Sequence, residues 1–243
     1  MDNSKYDLTP EEAAAVLAEA RHKKAAKIKE AEYWAEVRKE PEYPKYTATE
    51  LMTTIEAYFL SKGWLMDQFN RPIIENLCKY FTKDASGPLN LKKGILLRGG
   101  VGCGKTSIMR LFQYNQSNSF NIVSCRDVAY KFANEGHGAI SQYNSLWFSS
   151  NLKLTFGQKE VGTCFDDLGT EEEKKNFGNQ VNVMSDIILN RYDKLEIMQA
   201  KTHLTSNLSI AEIEQFYGTR VKSRLVEMFN DVVFENNSPD RRR

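Results

Sequence analysis

Several features that would mark a specialised class of protein are missing from this 243-residue sequence. Its four cysteines form no C-x-x-C pair and do not cluster with the three histidines, so neither a zinc site nor a disulfide framework is expected. No apolar run approaches the eighteen residues that a membrane span requires, and no signal-peptide core follows Met1. We therefore expect a cytoplasmic protein without a membrane partner.

An excess of charge of one sign is also missing. The sequence has 33 Lys and Arg against 32 Asp and Glu, a formal net charge of +1, so any contact with nucleic acid must come from local patches. Because 41% of the residues are hydrophobic, a largely disordered chain is excluded. No internal repeat is apparent, and the length predicts one fair-sized domain with a small appendage.

The most informative stretch runs from Gly94 to Met109. Residues 99–106 read G-G-V-G-C-G-K-T and fit the pattern G-x-x-x-x-G-K-[ST] without a mismatch. The apolar run 95–97 predicts a buried strand before the glycines, and apolar residues at helical spacing follow them. The predicted phosphate-binding residues are Gly99, Gly100, Val101, Gly102, Cys103, Gly104, Lys105, Thr106 and Ser107. We expect Lys105 to reach the β- and γ-phosphates of ATP and the Thr106 hydroxyl to hold Mg²⁺.

A second motif, Gly162 to Gly169, is a short β-prone run that ends in Asp166 and Asp167. Ligands of open α/β sheets bind at the carboxyl ends of the strands. We therefore expect Asp166 to take Mg²⁺ through water, and Asp167 to orient the attacking water. Taken alone, the pair would more often be just a turn; its position 61 residues after Lys105 (166 − 105) favours the functional reading.

A third strand, residues 201–207, ends in Asn207, which could contact the γ-phosphate or the attacking water. The alternative is a strand-terminating turn. Near the end of the chain, Arg220 and Arg224 are four residues apart and share one helical face. They could reach the γ-phosphate of a neighbouring subunit, or they could form a solvated basic face.

The first forty residues differ in amino-acid composition from the rest. Thr9 as N-cap, Pro10 at the first helical position and acids in the first turn predict an Ala/Glu/Lys-rich helix to about Lys39. Its narrow apolar stripe fits either a solvated helix packed on its own domain or an arm that docks on a partner. Residues 41–44 are predicted to be a linker.

Helices are predicted next at about 49–60 and 72–81, and they could cover a nucleotide base. Tyr80 and Phe81 are candidates for that contact, although core packing is the more ordinary role. Further along, we predict a strand at 120–124, helices at 126–134 and 140–147, and a solvated loop at 171–175. A helix at about 179–194, a short helix at 210–216, a basic turn and helix at 217–228 and a last strand at 231–235 complete the chain.

The region 128–150 is rich in aromatic residues and carries basic groups. Lys131 and Tyr143 are the candidate contacts to single-stranded DNA, because aromatic rings can stack on bases. Ordinary core packing is the alternative for the aromatic residues.

These motifs in this order resemble one family. The phosphate loop, Asp-Asp-Leu-Gly at 166–169, Thr-Ser-Asn at 205–207 and Gly-x-Arg-x-x-Ser-Arg-Leu at 218–225 look like the AAA+ ATPases of the DnaC/DnaI helicase-loader and IstB transposition-helper group. The resemblance covers about residues 90–242. It implies an α/β P-loop AAA+ core with a five-stranded parallel sheet flanked by helices, and the helical arm predicted from the first forty residues would precede this core.

The resemblance also implies roles for individual residues. Lys105 and Thr106 would be Walker A, Asp166 and Asp167 Walker B, and Asn207 sensor 1. Arg224 would be the arginine finger, with Arg220 as its companion, and Arg241 or Arg242 lies near the group's terminal arginine. One departure is Asp167, where many AAA+ proteins have Glu; the shorter side chain would suit a slow switch better than a motor.

The implied organisation is a partner-docking arm at 1–45, a helical linker packing on the core at 46–90, and an ATPase domain without a full C-terminal lid at 91–243. The leading functional hypothesis is a slow ATPase that acts as a helicase loader or replication accessory protein. It would form homo-oligomers with shared ATP sites on DNA, mainly single-stranded, and its arm would bind a replicative helicase. Two alternatives are an IstB-like transposition helper, whose arm would bind a transposase, and a nucleotide-gated scaffold without catalysis.

Overall fold

The computed structural model describes residues 9–37, 45–144, 161–171, 174–176, 179–196, 201–235 and 237–242. The chain divides into two compact units, Met1–Glu42 and Tyr43–Arg243. The helices predicted for residues 46–90 therefore belong to the same compact unit as the phosphate loop. The predicted linker at 41–44 and the end of the helix at 145–147 lie outside the described residues.

The first unit contains helix α1, Pro10–Val37. Its start confirms the predicted N-cap, because the Glu12 backbone N–H donates to Thr9 Oγ1 (3.3 Å) and the Thr9 N–H donates to Glu12 Oε2 (2.8 Å). This reciprocal pair satisfies backbone donors that the first turn leaves open. The Val16, Leu17 and Ile28 side chains of its apolar stripe are exposed.

The second unit is built on a five-stranded parallel sheet. The strands are β1 (Gly94–Arg98), β2 (Phe120–Ser124), β3 (Gly162–Leu168), β6 (Thr202–Ser206) and β7 (Phe229–Val233), in the spatial order β2-β3-β6-β1-β7. All four neighbouring pairs are parallel. This sheet, flanked by helices and preceded by α1, confirms the predicted α/β P-loop architecture.

Helices cover both faces of the sheet, which explains the uninterrupted apolar run of β1. Ile95 and Leu97 face one buried cluster, with residues of α2 (Ala48–Ser61), α3 (Arg71–Phe81) and α4 (Lys105–Leu111). Leu96 faces the other, with residues of α5 (Cys125–Glu135), α7 (Val183–Asp193) and α8 (Ile210–Met228). Strands buried on both faces carry apolar residues without alternation.

Between the predicted strands two local assignments were wrong. Lys174–Asn176 is a short strand, β4, rather than a loop, and it pairs antiparallel with β5, Asn179–Val181. The helix predicted from residue 179 begins only at Val183, because Asn182 caps it by accepting the Ser185 N–H (3.1 Å). A three-residue strand is too short to show a period in the sequence.

The elements near the end of the chain also differ from prediction. The helix predicted at 210–216 and the turn and helix predicted at 217–228 form one helix, α8, whose kink at Gly218 (φ 84°, ψ 163°) lies within the predicted turn. Strand β7 begins at Phe229, two residues earlier than predicted. Helix α6 spans His137–Asn144. In the part of the chain described here, no helix combines the length and apolarity needed to cross a membrane.

Candidate nucleotide-binding site

The phosphate loop joins β1 to α4 at the carboxyl edge of the sheet. Gly102 (φ 82°) and Gly104 (φ 101°) adopt left-handed backbone conformations, which side chains with a Cβ rarely tolerate. These two residues let the loop turn tightly before Lys105 starts the helix. The strand–loop–helix context predicted for the motif is therefore present.

Lys105 is buried, with only 5% of its surface exposed. Its Nζ donates to the carbonyl oxygens of Gly99 and Gly100, both at 3.0 Å, and to Oδ1 of Asn207. A buried ammonium group must be hydrogen-bonded to compensate for lost hydration. These three oxygens are neutral, so phosphate oxygens would be stronger partners for the same charge.

The Thr106 and Asp166 side chains lie side by side. Thr106 Oγ1 donates to the Asp166 carboxylate at 2.9 and 3.0 Å. A hydroxyl and a carboxylate are the hard oxygen donors that Mg²⁺ takes. Because Mg²⁺ is commonly bound through one or two protein oxygens with phosphate and water as its other ligands, this pair fits a magnesium site. The described residues contain no cluster of three His, Cys, Asp or Glu side chains.

Thr205 is a site residue that sequence reasoning did not single out. Its hydroxyl donates to Asp166 Oδ1 (2.7 Å) and accepts the backbone N–H of Asp167 (2.8 Å). One side chain thus orients both acidic positions. Its place in the Thr-Ser-Asn segment at the end of β6, directly beside β3, was the available signal.

Asp167 lies in an irregularity of β3. Between Phe165 and Leu168 the strand advances three residues while β6 advances two, from Leu204 to Ser206. This extra residue is a β-bulge. It is accommodated by the left-handed backbone of Asp167 (φ 58°), where Asp is enriched among residues other than glycine. This conformation gives a physical reason for Asp, rather than Glu, at this position.

The electrostatic environment of Asp167 fits a group that handles protons. Burial, together with the neighbouring Asp166 carboxylate, raises the pKa of Asp167, while the positive charges of Lys105, Arg126 and Arg242 oppose that rise. Perturbed carboxyl groups of this kind concentrate at functional sites. Asp167 is therefore electrostatically coupled to both the phosphate-loop lysine and the metal-binding candidate.

A cavity of about 510 Å³ opens beside the phosphate loop. Cys103, Gly104 and Ser107 line one side, and residues 63–67, which follow α2, contribute to the other. Its apolar lining residues are Phe59, Trp64, Leu65 and Ile108. An apolar cleft of this volume beside a polar edge is the usual form of a ligand site.

The predicted base contacts are not the aromatic residues of this cavity. Tyr80 and Phe81 are 3% and 0% exposed and belong to the core around β1. Phe81 stacks on Phe112 with ring centroids 4.9 Å apart. The core-packing alternative therefore applies to both, while Phe59 and Trp64, which the sequence analysis did not single out, face the cavity.

The arginines of α8 lie apart from this constellation. Arg224 Nη1 donates to the Tyr192 hydroxyl and to Glu227 Oε1, both at 3.0 Å, and its guanidinium lies 4.0 Å from the centroid of the Tyr192 ring. Arg220 is exposed. Both follow the kink at Gly218, and Arg224 is held by α7 and α8 side chains rather than by the phosphate loop of its own chain.

A polar contact connects the turn after Asp167 to this kink. The Tyr217 hydroxyl donates to Glu171 Oε1, and Glu171 Oε2 accepts the Gly169 N–H (2.9 Å). Thr170 donates its N–H and its hydroxyl to the Asp167 carbonyl (3.1 and 2.7 Å). The chain of contacts thus runs from Asp167 to the residue that precedes Gly218.

The two candidate DNA contacts lie in different surroundings. Tyr143 is only 9% exposed and packs in the core, its ring centroid 6.1 Å from that of Phe165; this burial disfavours a stacking role. Lys131 is half-buried and donates to Gln142 Oε1 (3.1 Å). Core packing therefore accounts for Tyr143 without a ligand.

The parallel sheet, the phosphate loop and the polar carboxyl edge define the chain as a P-loop α/β protein. No protein-family model and no curated protein matches it. Its fold is similar to that of the DnaC helicase loader (18% identity, TM-score 0.45, 68% of this chain and 89% of that chain covered). It is also similar to DnaI (18% identity, TM-score 0.48, 72% and 90% covered).

A third similar structure is AMPPCP-bound DnaA from Aquifex aeolicus (16% identity, TM-score 0.47), with 82% of this chain and 53% of that chain covered. The helicase-loader group that the motifs resemble is thus represented among these structures. At such identities and TM-scores the likenesses concern overall architecture and assign no activity to the chain.

Proposed function

We propose that the chain binds and hydrolyses ATP with Mg²⁺ as an AAA+ helicase loader or replication accessory ATPase. The observation that carries the proposal is the convergence of five side chains from three strand ends at one sheet edge: Lys105, Thr106, Asp166, Asp167 and Asn207. Together they supply four requirements of phosphoryl transfer: positive charge at the phosphates, metal ligands (Thr106 and Asp166), orientation of water and a polar contact.

In the proposed mechanism, Lys105 exchanges its neutral partners for phosphate oxygens. Thr106 and Asp166 would hold the Mg²⁺, and the ion would supply positive charge against the phosphates. Asp167 accepts a hydrogen bond from the attacking water and polarises it toward the γ-phosphorus. Asn207, already hydrogen-bonded to Lys105, contacts the γ-phosphate, and the base occupies the cavity beside Trp64.

The proposed oligomer supplies the remaining charge. Arg224 of an adjacent copy would stabilise the γ-phosphate in the transition state, with Arg220 beside it. Mixing the Lys105→Ala chain with the Arg224→Ala chain should then restore some hydrolysis, since one interface would combine an intact site with an intact arginine. No recovery in oligomers that demonstrably contain both chains contradicts action in trans.

The decisive experiment measures ATP binding and hydrolysis with and without single-stranded DNA. We expect slow hydrolysis that DNA stimulates, lost in Lys105→Ala, while Asp167→Asn retains binding but loses turnover about 100-fold. Arg110→Gln is a matched control, because Arg110 is an exposed cation on the helix that follows the loop. A wild-type chain that neither binds nor hydrolyses ATP refutes the proposal.

The proposed partner is a replicative helicase, bound through α1. A pull-down with the full chain and with a chain lacking residues 1–42 tests this. Recovery of a replicative helicase only by the full chain supports the loader, whereas recovery of a transposase supports an IstB-like helper. If Asp167→Asn changes neither turnover nor assembly, a nucleotide-gated scaffold is the better description.

A further inference from the structure

The C-terminal strap, residues 237–242, folds back over the phosphate loop. The Arg241 backbone N–H donates to the Gly102 carbonyl (3.0 Å), and Arg241 Nη1 donates to the Cys103 carbonyl (2.7 Å). The Asp240 carboxylate lies so close to Gly102 that a Cβ added there would be 2.1 Å from its Oδ1. One arginine thus engages two successive peptide carbonyls of the loop.

These contacts constrain which way the loop's peptide units face. In a trans peptide the C=O and the next N–H point in opposite directions. The carbonyls of Gly102 and Cys103 are turned toward Arg241, and the Cys103 N–H points toward the Gly100 carbonyl across the loop (3.5 Å). Fixing the two carbonyls on the strap side therefore directs N–H groups to the side that a phosphate would occupy.

The strap is anchored on the far wall of the cavity by a second contact of the same side chain. Arg241 Nη2 donates to both carboxylate oxygens of Asp67, at 2.9 and 2.7 Å. Asp67 is itself held in place, since its Oδ1 accepts the N–H groups of Phe69 and Asn70 (2.9 and 3.0 Å). The side chains of this ion pair are 21% and 15% exposed, so water screens it less than it screens a surface pair.

The pair also spans the cavity proposed for the base. Asp67 belongs to the segment after α2, and Pro239, Asp240, Arg241 and Arg242 line the cavity from the strap. The Arg241 guanidinium lies 5.7 Å from the centroid of the Phe234 ring, which gives it a further contact at the end of β7. A single side chain therefore joins the loop, the strap and the opposite wall.

We propose that Arg241 is a positioning residue of the phosphate loop, and that its ion pair with Asp67 holds the C-terminal strap across the nucleotide cavity and slows nucleotide release. This inference rests on the proposed function for its ligand, ATP. A bidentate, charge-assisted pair is the geometry expected of an anchor that must hold a short segment in one place.

The test uses the full chain with Arg241→Gln, Arg241→Lys and Asp67→Asn. Asparagine at 67 keeps the side-chain oxygen that caps the turn but loses the charge. Release of a fluorescent ATP analogue should be about tenfold faster for Arg241→Gln and Asp67→Asn, with an intermediate rate for Arg241→Lys, which retains the charge. The control Arg110→Gln should release nucleotide at the wild-type rate.

A second readout needs no nucleotide. Hydrogen exchange of the amides at 99–106 and 237–242 should accelerate in Arg241→Gln and Asp67→Asn, while amides of β1, β3 and β6 exchange as in wild type. Acceleration everywhere would indicate a general loss of stability and overturn the positioning role. Unchanged exchange at these two segments would also overturn it.

The two readouts separate this inference from the proposed function. If wild type binds no ATP, the proposed function fails, and the exchange measurement alone decides whether Arg241 orders the loop. If wild type binds ATP but both variants release it at the wild-type rate, the proposed function stands and the strap inference fails.

Discussion

Two buried cations mark opposite ends of the same sheet. Lys105 lies at the carboxyl edge after β1, and Arg191 of α7 lies at the amino edge, where it contacts Thr163 and Thr202 at the beginnings of β3 and β6. The two residues are 5% and 3% exposed. They have the same charge and nearly the same burial, so any difference in role must come from their partners.

Arg191 is surrounded by fixed neutral groups. It donates to the Tyr143 carbonyl (2.7 Å), Thr202 Oγ1 (2.9 Å) and Thr163 Oγ1 (3.0 Å), and its guanidinium lies 5.1 Å from the centroid of the Phe165 ring. Burial lowers the pKa of Arg191 to about 10. The cavity beside it is about 30 Å³, far below the volume of about 300 Å³ at which ligand pockets begin.

Lys105 instead belongs to a loop that lines a large cavity, since the neighbouring Cys103 and Gly104 contribute to its wall. Two of its acceptors are carbonyls of a glycine-rich loop and the third is the Asn207 side chain, and the adjoining cavity is about 510 Å³. A buried cation whose partners can be exchanged for those of a ligand can bind. A buried cation whose partners belong to the strands and helices that it joins can only brace the fold.

The largest effect expected from this comparison is the loss of activity in Lys105→Ala. Removing the charge that faces the phosphates should lower hydrolysis about 10³-fold, because the transition state gathers negative charge there. The melting temperature should change little, since the lost partners are two loop carbonyls and the Asn207 side chain, which lie outside the strands and helices. Hydrolysis assays and thermal unfolding of the same preparation check both statements, and equal losses in the two would contradict the distinction.

For Arg191→Met we expect the reverse, namely a loss of stability without a loss of ATP affinity. Methionine fills much of the same space but leaves three buried oxygens without a donor, so the free energy of unfolding should fall by about 3 kcal/mol. ATP affinity, measured where the variant is still folded, should be unchanged. Denaturant unfolding with Arg110→Met as control tests this, and a variant as stable as wild type would show that Arg191 is not a brace.

The amino edge of the sheet can also be tested by the pH dependence of stability, because His203 of β6 is buried there. Burial, with a smaller effect of Lys201, lowers the pKa of His203 to about 3, and its Nδ1 accepts the Ile95 N–H (3.1 Å). Below pH 6.5 the unfolded chain binds a proton at this histidine that the folded chain excludes. The free energy of unfolding therefore decreases as the pH is lowered from about 6.5 to about 3.

Lowering the pH from 6.5 to 5 should therefore reduce the free energy of unfolding by about 2 kcal/mol through this histidine. His203→Gln, which keeps an acceptor but does not titrate, should lose less over the same range. Chemical unfolding at several pH values provides the measurement. Identical pH slopes for variant and wild type would mean that other groups dominate the acid response.

The smallest effect is expected for Tyr217→Phe. This change removes the hydroxyl that connects the turn after Asp167 to helix α8. Burial raises the pKa of Glu171, and the Tyr217 hydroxyl opposes that rise. Losing this donor should therefore cost about 1 kcal/mol of stability. It should also reduce hydrolysis in oligomers, because Glu171 connects the Asp167 turn to the helix of Arg220 and Arg224. Unchanged hydrolysis at full assembly would limit the contact to stability.

Much of the phosphate edge could be predicted because its signals are local. Each motif can be recognised within eight residues. One consists of glycines at fixed offsets with a lysine and a hydroxyl in register, and the other of acids at the end of a strand. The bulge at Asp167 could not be predicted in this way, because it appears only when the registers of β3 and β6 are compared. Short strands β4 and β5 were missed since three residues show no period.

The residues that line the cavity show a different limit of prediction from sequence. Sequence analysis selected Tyr80 and Phe81 because they are aromatic and precede the loop, but helical spacing turns both toward the core around β1. Phe59 of α2 and Trp64 in the turn after it line the cavity, and helical spacing within α2 carries no information about what that face will meet.

The sequence by itself determined that this chain has a phosphate loop and an acidic strand end, since each depends on neighbouring residues and their period, while the parallel sheet was implied by the family that the motifs resemble. Only the tertiary structure decided which of two buried cations lies in a loop beside a ligand-sized cavity, and that Arg241 crosses from the strap to Asp67. Those contacts join residues 174 positions apart; local sequence has no period that reports such a distance, and only packing brings the two groups together.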